Sequence, residues 1–264
     1  MHKRMNSKIP LISVITICFN AEAYIKQCLD SVIHQDFNDY EYIVIDGGST
    51  DGTADIIKKY QEHLAYWHSK VDRGLSHAFN QGLEHATGRW VIFLNSDDYF
   101  CNPTVLEKFS TILLANRDKD VLFGQIQMVS REQTPECLAA PVGHPFDWGE
   151  FIKRDTIPHP SAFTNMSFVR RVGPFDESYR IAIDYEFYLR GGEKLKAVFY
   201  PELVSCMREG GVSRVHRRAC LNECLGALKQ HKSCSSLFIF VYGNYLRFRI
   251  FVRDMLVKFR IISE

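Results

Sequence analysis

Two adjacent aspartates, Asp97 and Asp98, are the acids in this chain best placed to do chemistry. They follow residues 90–94, an uninterrupted apolar run that is typical of a strand covered on both faces. Acids at the end of such a strand lie at the carboxyl edge, where open α/β sheets bind ligands. Adjacent carboxylates repel each other and favour a divalent cation as partner. A solvated acidic turn is the alternative interpretation.

Two further predicted strands end in residues that could bind a ligand. Residues 41–46 end in Asp46, followed by a glycine-rich turn, and residues 11–18 lead into Phe19. An aromatic ring, a lone acid and an acid pair could together hold a base, a ribose and a diphosphate with its metal. Asp46 and its glycines could equally form only a tight connection. Neither G-x-x-x-x-G-K-[ST] nor a G-x-G-x-x-G after a strand occurs, so those two phosphate-binding loops are excluded.

Strands and helices are predicted to alternate over the first 130 residues. Strands are expected at 11–18, 41–46, 90–94 and 121–129, and helices at 54–61 and 77–86. A further helix follows the first strand, with Asn20 as its N-cap, and Thr53 or Asp51 could cap the second. This alternation predicts a doubly wound, mostly parallel sheet with helices on both faces.

The second half of the chain is less regular. Residues 131–160 contain five prolines and are expected to be loop-rich, before a helix at 183–191 and a strand at 197–200. From about residue 215 the pattern is helical. Residues 238–262 alternate large apolar side chains with arginines, which favours a basic amphipathic helix on an anionic membrane surface. A helix packed on the domain with a solvated basic face is the alternative.

Composition restricts the class of protein. A chain of 264 residues with 46% hydrophobic residues suits one large domain, with or without an appendage. The net charge of +1 gives no argument for nucleic acid as a partner. The eight cysteines form no C-x-x-C, so a reducing cytoplasm is favoured over a zinc or disulfide framework. Neither a signal-peptide core nor a run of roughly 20 apolar residues is present.

The order of the short motifs resembles that of family 2 glycosyltransferases, which have the GT-A fold. The motifs are Ile17-Cys-Phe19-Asn20, Asp46-Gly-Gly-Ser-Thr-Asp51-Gly-Thr, Asp72-Arg-Gly74, Asn80-Gln-Gly82, Asn95-Ser-Asp97-Asp98 and Ile183-Asp184-Tyr-Glu186. The resemblance covers about residues 10–213. It implies a glycosyltransferase domain over 1–214, with a nucleotide-binding part at about 10–130, an acceptor part at about 131–214, and a helical extension over 215–264.

The resemblance also implies roles for single residues. The backbone at Ile17 and the ring of Phe19 would line the nucleobase pocket, and Asp46 would accept a hydrogen bond from the base. Asp51 and Asp72 would belong to the same nucleotide site. This chain departs from the family's D-x-D, because asparagine stands first in Asn95-Ser96-Asp97.

The same resemblance assigns the metal and the catalytic base. Asp97 would reach the ribose or the metal, and Asp98 would coordinate Mg²⁺ or Mn²⁺ on the diphosphate. Asp184 would be the general base that takes the proton of the acceptor hydroxyl. A single displacement would then invert the anomeric configuration. The alternative for Asp184 is a helix N-terminal acid favoured by the helix dipole.

Four more residues are candidate contacts to donor or acceptor: His159, Glu186, Arg73 and His77. His159 stands where relatives often carry a His-x-Ser stretch, and a structural loop histidine is the alternative. Relatives commonly have an acid where this chain has Ser76-His77-Ala78, so His77 could be polar near the donor or simply exposed. Arg73 could hold phosphate or be a surface arginine.

These interpretations predict an inverting hexosyltransferase of bacterial surface-polysaccharide synthesis. Its donor would be a UDP-sugar by default, with GDP and dTDP open, and its acceptor a glycan or a lipid-linked hydroxyl. We expect it in the cytoplasm or peripherally on the inner face of the membrane. A nucleotidyltransferase is one alternative, although the glycine-rich, basic loop it needs after the first strand is missing. A nucleotide-sugar-binding scaffold without activity is the other.

Overall fold

The computed structural model describes residues 9–132 and 134–258. Within those residues the strands form one eight-stranded sheet in the order β3-β2-β1-β4-β7-β6-β8-β5. The strands are β1 Ile12–Cys18, β2 Tyr40–Asp46, β3 Tyr66–Ser69, β4 Trp90–Phe93, β5 Tyr99–Phe100, β6 Val121–Val129, β7 Ala162–Asn165 and β8 Ala197–Arg208. The mostly parallel sheet agrees with the architecture predicted from the sequence.

The first four strands place the predicted ligand residues at one edge. β2 and β4 both run parallel to β1, and Cys18 pairs with Asp46 at the end of the β1–β2 ladder. The strand β7 is antiparallel to β4 and β6, and β8 then runs parallel to β6. The carboxyl ends of β1, β2 and β4 therefore meet on the same side of the sheet.

Helices flank both faces of the sheet. They are α1 Ile25–Ile33, α2 Thr53–Lys59, α3 Leu75–His85, α4 Val105–Ala115, α5 Trp148–Phe151, α6 Met166–Val172, α7 Ile183–Leu189, α8 Val212–Val215, α9 Arg217–Gln230 and α10 Ser236–Lys258. Successive β1 residues point to opposite faces, so Ile15 joins one hydrophobic cluster and Val14 the other. Burial on both faces explains the continuous apolar runs of the central strands.

The predicted cap of the first helix is wrong. The residue at the N-cap position of α1 is Tyr24, and no side chain caps the helix there. Asn20 instead has a positive φ of 49° and lies in the turn after β1. Its Oδ1 accepts a hydrogen bond from Thr50 N at 2.9 Å, so Asn20 ties this turn to the glycine turn after β2.

Several elements were not predicted. β3, β5 and β7 have four residues or fewer, which is too short for periodicity to be read. β8 extends to Arg208 and is eight residues longer than the predicted 197–200. Its exposed middle interrupts the apolar pattern, and its pairing with β6 continues beyond a register shift there. The predicted boundaries of β6 coincide with the observed ones.

The C-terminal helices pack on the domain through α9. Leu225, Ala227 and Leu228 of α9 are buried in the main core, and Gly243 lets α10 approach Leu225 closely. Much of α10 is exposed, and the predicted tail residues Phe259 and Arg260 lie outside the described residues. Across the described chain, none of the helices has the length and apolar character needed to cross a bilayer. Whether residue 214 is a domain boundary stays a prediction.

Candidate active site

Two neighbouring cavities open at the carboxyl edge of the sheet. The strand-end cavity, about 660 Å³, is lined by the ends of β1 and β4 together with Gly47 and Asp72. The helix cavity, about 440 Å³, lies beside α7 and is lined by Asp155, His159 and Asp184. Asn95 and Asp98 line both cavities. Asp98 therefore stands where the two cavities meet, and Asp97 lines the strand-end cavity beside it.

The strand-end cavity contains an exposed aromatic ring. Ile17 and Phe19 both line it, and Phe19 is 63% exposed directly after β1. The turn that carries Phe19 is fixed from the β2 side, because Asn20 N donates to Ser49 Oγ at 2.8 Å. A large apolar ring held open to solvent in this way offers a flat surface for a planar ligand.

Asp46 stabilises the turn behind this cavity. Its carboxylate is fully buried and accepts hydrogen bonds from Ser49 N, Ser49 Oγ and Ser69 Oγ, the last two at 2.5 Å. The neighbouring Gly47 faces the cavity, and a Cβ there would lie 2.5 Å from Asp72 Oδ2. Glycine thus allows Asp72 to approach the cavity wall.

Asp51 lies outside the cavity lining. Its carboxylate accepts hydrogen bonds from Thr53 N at 3.0 Å and Thr53 Oγ1 at 2.6 Å, and Glu22 N donates to it at 3.2 Å. These bonds hold the start of α2 against the turn before α1. A direct role of Asp46 or Asp51 toward a nucleotide stays a prediction.

The acid pair is asymmetric. Asp98 is 3% exposed, and its buried position, together with the charge of Asp97, raises the pKa of its carboxyl well above the usual range. Asp97 is more open and lies 3.4 Å from the guanidinium of Arg131. The buried Arg208 donates from its backbone N to Asp98 at 3.3 Å and from its side chain to the Asp97 carbonyl.

Arg208 is a site residue that the sequence predictions omitted. Its guanidinium lies 4.6 Å from the ring centroid of Tyr24 and 5.2 Å from that of Tyr99. The cation is therefore held beneath the acid pair by two rings. The sequence feature that could have indicated Arg208 is its position after a partly apolar segment. The sequence does not show that β8 reaches this residue or that β8 lies beside the acid pair.

The oxygen atoms around the acid pair suit a hard divalent cation. Asn95 Oδ1 is buried without a hydrogen-bond partner in the described structure, and it accompanies the carboxylates of Asp97 and Asp98. Among residues 9–132 and 134–258, no group of three or more His, Cys, Asp or Glu side chains could hold a metal alone. Magnesium is commonly held by one or two carboxylates plus phosphate oxygens, which is the arrangement available here.

Asp184 faces the helix cavity from the first turn of α7. Its Oδ1 accepts a hydrogen bond from Tyr185 N at 2.9 Å, and its Oδ2 lies 3.9 Å from His159 Nδ1. Burial lowers the pKa of His159, although Asp184 opposes that shift, so the imidazole is neutral at pH 7. The rings of Phe79 and Phe93 pack on the same imidazole.

The structure does not bring the other candidate contacts to either cavity lining. Glu186 is 1% exposed and is bound by Arg190 at 2.6 Å and by His231 at 2.7 Å. Arg73 forms an exposed ion pair with Glu177 at 2.8 Å. His77 Nδ1 accepts a hydrogen bond from Arg73 N. These side chains stabilise the surroundings of α3 and α7.

Comparison with known proteins decides the family. Residues 13–173 match the model of "Glycosyl transferase family 2". The chain belongs to glycosyl transferase family 2. It is 34% identical over 185 residues to an uncharacterised glycosyltransferase of Mycobacterium tuberculosis, covering 69% of this chain and 68% of the relative. It is 29% identical over 184 residues to a PGL/p-HBAD biosynthesis glycosyltransferase of Mycobacterium bovis, covering 69% of each.

Solved structures of glycosyltransferases share the fold of this family 2 member. A fragment of S. aureus TarS in complex with UDP-GlcNAc superposes with a TM-score of 0.67 at 21% identity, over 84% of this chain and 65% of that one. The Pyrobaculum calidifontis mannosyltransferase PcManGT, in complex with GDP-Man and Mn²⁺, gives 0.64 at 19% identity, over 87% and 66%. These structures confirm the predicted GT-A fold. The family match confirms the glycosyltransferase class and sets the nucleotidyltransferase alternative aside.

Proposed function

We propose that this protein transfers a hexose or related sugar from a nucleotide sugar to an acceptor hydroxyl, with inversion at the anomeric carbon. The observation that carries the proposal is the junction of two cavities at Asp98. One cavity offers an aromatic ring and acids to a nucleotide diphosphate, and the other offers Asp184 to an acceptor. The anomeric carbon would lie between them.

The strand-end cavity is the proposed donor site. The exposed ring of Phe19 is suited to stack on a nucleobase, and Asp72 lies in the same lining. UDP is the first choice of nucleotide, and GDP the second, since UDP-GlcNAc and GDP-Man occur in the two matched structures. dTDP stays an outcome of the test below.

The proposed cofactor is Mn²⁺ or Mg²⁺ at the acid pair. Asp98 and Asp97 would hold it, with Asn95 Oδ1 beside them. A divalent cation there supplies Lewis-acid stabilisation of the charge that develops on the leaving diphosphate. Arg131 and Arg208 lie next to the same acids and would add positive potential at the leaving group.

Asp184 is the proposed catalytic base. It is partly open to the helix cavity, where its carboxylate would accept a proton from an acceptor hydroxyl. As the O–H bond breaks, the oxygen attacks the anomeric carbon and the diphosphate departs with the bonding electrons. One displacement inverts the configuration without a covalent intermediate. The neutral His159 packs beside Asp184 and would shape the acceptor pocket.

The proposed acceptor is a glycan or lipid-linked hydroxyl of surface polysaccharide synthesis, such as O-antigen, capsule or exopolysaccharide. The exposed face of α10 supports the proposal that the enzyme acts at the inner face of a membrane. Its exposed large side chains are Leu237, Phe240, Val241, Tyr245, Phe248, Phe251 and Met255. A groove beside α10 carries four cations, Arg131, Arg214, Arg217 and Lys258, against Glu209 and Asp254. Apolar side chains beside a basic groove suit an anionic lipid surface.

The proposed function also assigns a role to each part of the chain. We propose that residues 10–130 bind the nucleotide, residues 131–214 contribute the acceptor site, and residues 215–264 form the membrane-facing extension. Phe19 and the acid pair lie in the first part, and His159 and Asp184 lie in the second.

A donor screen tests the proposal. Melting temperature is measured with UDP-, GDP- and dTDP-sugars, each with and without Mn²⁺, for the wild type and for Asp98→Ala. We expect one nucleotide class to raise the melting temperature in a Mn²⁺-dependent manner, because ligands that bind the folded state stabilise it. The Asp98→Ala variant should lose the Mn²⁺-dependent part. If none of the donors shifts the wild type, the proposed donor site is wrong.

A further inference from the structure

The C-terminal helix α9 supplies a carboxylate to the segment that leads into α7. Glu223 lies in the middle of α9, and its Oε2 accepts hydrogen bonds from Ile181 N and Ala182 N, both at 2.9 Å. Its Oε1 accepts a third from Arg180 N at 3.1 Å. Three consecutive backbone N–H groups therefore share one side chain that lies 41 to 43 residues later in the chain.

The start of α7 lacks the usual local partners for these N–H groups. The N-cap residue is Ala182, and no side chain at that position caps the helix. In a capping box, a glutamate or glutamine three residues later accepts a hydrogen bond from the N-cap N–H. That position holds Tyr185, whose hydroxyl instead donates to Ile152 O at 3.0 Å. Glu223 supplies the missing acceptor from another helix.

The segment that Glu223 holds borders the helix cavity and leads to the proposed base. Ile181, Ile183 and Asp184 line that cavity, whereas Glu223 lines neither cavity. Asp184 lies two residues after Ala182, in the first turn of α7. Because hydrogen bonding within a helix is incomplete in its first turn, the direction of the Asp184 carboxylate depends on how residues 180–182 are held. Glu223 is thus linked to the reaction through the backbone.

The end of α9 contacts the same segment at two further points. Gln230 Oε1 accepts a hydrogen bond from the Tyr179 hydroxyl at 3.0 Å, and His231 Nε2 lies 2.7 Å from Oε1 of the buried Glu186. Leu225 and Leu228 anchor α9 in the main hydrophobic core. Residues 179–186 are therefore held by an anchored helix on both sides of Asp184.

α3 and the turn before it hold the beginning of this segment. Ser76 Oγ donates a hydrogen bond to Tyr179 O, and the Arg180 guanidinium donates to Arg73 O. Both contacts lie before Ile181, so Glu223 holds the part of the segment that is closest to Asp184.

We propose that Glu223 is a positioning residue, which fixes the start of α7 so that Asp184 faces the acceptor in the helix cavity. The C-terminal extension is thereby a working part of the proposed acceptor site as well as a membrane-facing element. The role of Asp184 rests on the proposed function, whereas the hold of Glu223 on residues 180–182 does not.

Hydrogen exchange of the full chain tests this hold without any substrate. Amide exchange is compared among the wild type, Glu223→Ala, Glu223→Gln and the control Glu107→Ala, which changes an exposed glutamate of α4. In Glu223→Ala we expect exchange at least about tenfold faster at Ile181 and Ala182, because their acceptor is lost. Glu223→Gln should exchange at an intermediate rate, since its amide oxygen can still accept. The control should match the wild type, and wild-type exchange in Glu223→Ala would overturn the proposal.

A kinetic comparison tests the positioning role once a donor is known, at a temperature where every variant is folded by circular dichroism. Glu223→Ala should lower kcat by about 10- to 100-fold at unchanged KM for the nucleotide sugar, because a misplaced base costs rate while the strand-end cavity is unaltered. The kcat of Glu223→Gln should lie between those of Glu223→Ala and the wild type. Wild-type kcat in Glu223→Ala, with only its stability lowered, would show that Glu223 is merely structural. Absence of transfer by the wild type would refute the proposed function and leave the exchange result standing.

Discussion

The two cavities are assembled in different ways. The strand-end cavity is centred on residues at the ends of β1, β2 and β4, which the sheet register brings together, and Asp72, Arg131 and Arg208 complete its lining. The helix cavity combines the loop around Asp155, the segment at His159 and the first turn of α7. The core of the proposed donor side therefore follows from the sheet, whereas the proposed acceptor side depends on long-range packing. This difference suggests that a common donor site can be combined with a variable acceptor site.

The largest effect is expected at Asp184, where a substitution should lower the rate of transfer without changing donor binding. Asp184→Asn keeps the size of the side chain but removes its capacity to accept a proton, so kcat should fall by about 10²- to 10⁴-fold. Nucleotide-sugar affinity should stay close to that of the wild type, because Asp184 does not line the strand-end cavity. Single-turnover transfer and calorimetric titration measure the two quantities. Wild-type turnover in the Asp184→Asn variant would show that Asp184 is not the catalytic base.

The second prediction concerns the buried ion pair between Glu186 and Arg190 at α7, the helix that carries Asp184. Glu186→Gln leaves Arg190 without its buried anionic partner, and loss of one member of such a pair costs about 3–5 kcal/mol of unfolding free energy. Denaturant unfolding measures this loss. The KM for the donor should not change at a temperature where the variant is folded. A raised KM with intact stability would instead identify Glu186 as a substrate contact.

A smaller effect is expected at the strand-end cavity. Phe19→Ala removes an exposed ring that we propose stacks on the base, and such stacking contributes about 1–3 kcal/mol of binding free energy. Affinity for the nucleoside diphosphate should fall accordingly, while stability should change little because the ring is exposed. Phe19→Tyr is the matched control and should bind like the wild type. Equal affinity of the alanine variant would place the base elsewhere.

The smallest effect is a pH dependence of stability. Burial lowers the pKa of His159 in the folded state, so the unfolded state binds more protons below the ordinary value of about 6.5. Stability from this residue is complete above that pH and is lost as pH falls toward the lowered folded pKa. Asp184 partly offsets the shift. The decrease in unfolding free energy between pH 7 and pH 5 should be smaller in His159→Gln, and an identical decrease would show that His159 does not titrate abnormally.

The same contrast explains how much could be predicted from the sequence. The strands β1, β2, β4 and β6 and the positions of Asp97, Asp98 and Phe19 follow from apolar runs and their ends. Arg208 and Asp155 were missed because neither is marked by periodicity or by a local motif. Arg208 reaches the acid pair through a strand 111 residues from Asp97 along the chain. Glu186 lies two residues from Asp184 on a different face of α7, where Arg190 and His231 bind it, and its role as a donor or acceptor contact stays a prediction.

The most direct test of the central claim compares Asp98→Ala with Asp184→Asn in one experiment. Calorimetric binding of the nucleotide sugar, with and without Mn²⁺, is measured beside product formation. If donor and acceptor chemistry meet at Asp98, the first variant loses Mn²⁺-dependent binding and transfer, and the second loses transfer alone. Loss of Mn²⁺-dependent binding in Asp184→Asn, or its retention in Asp98→Ala, would contradict the two-cavity account.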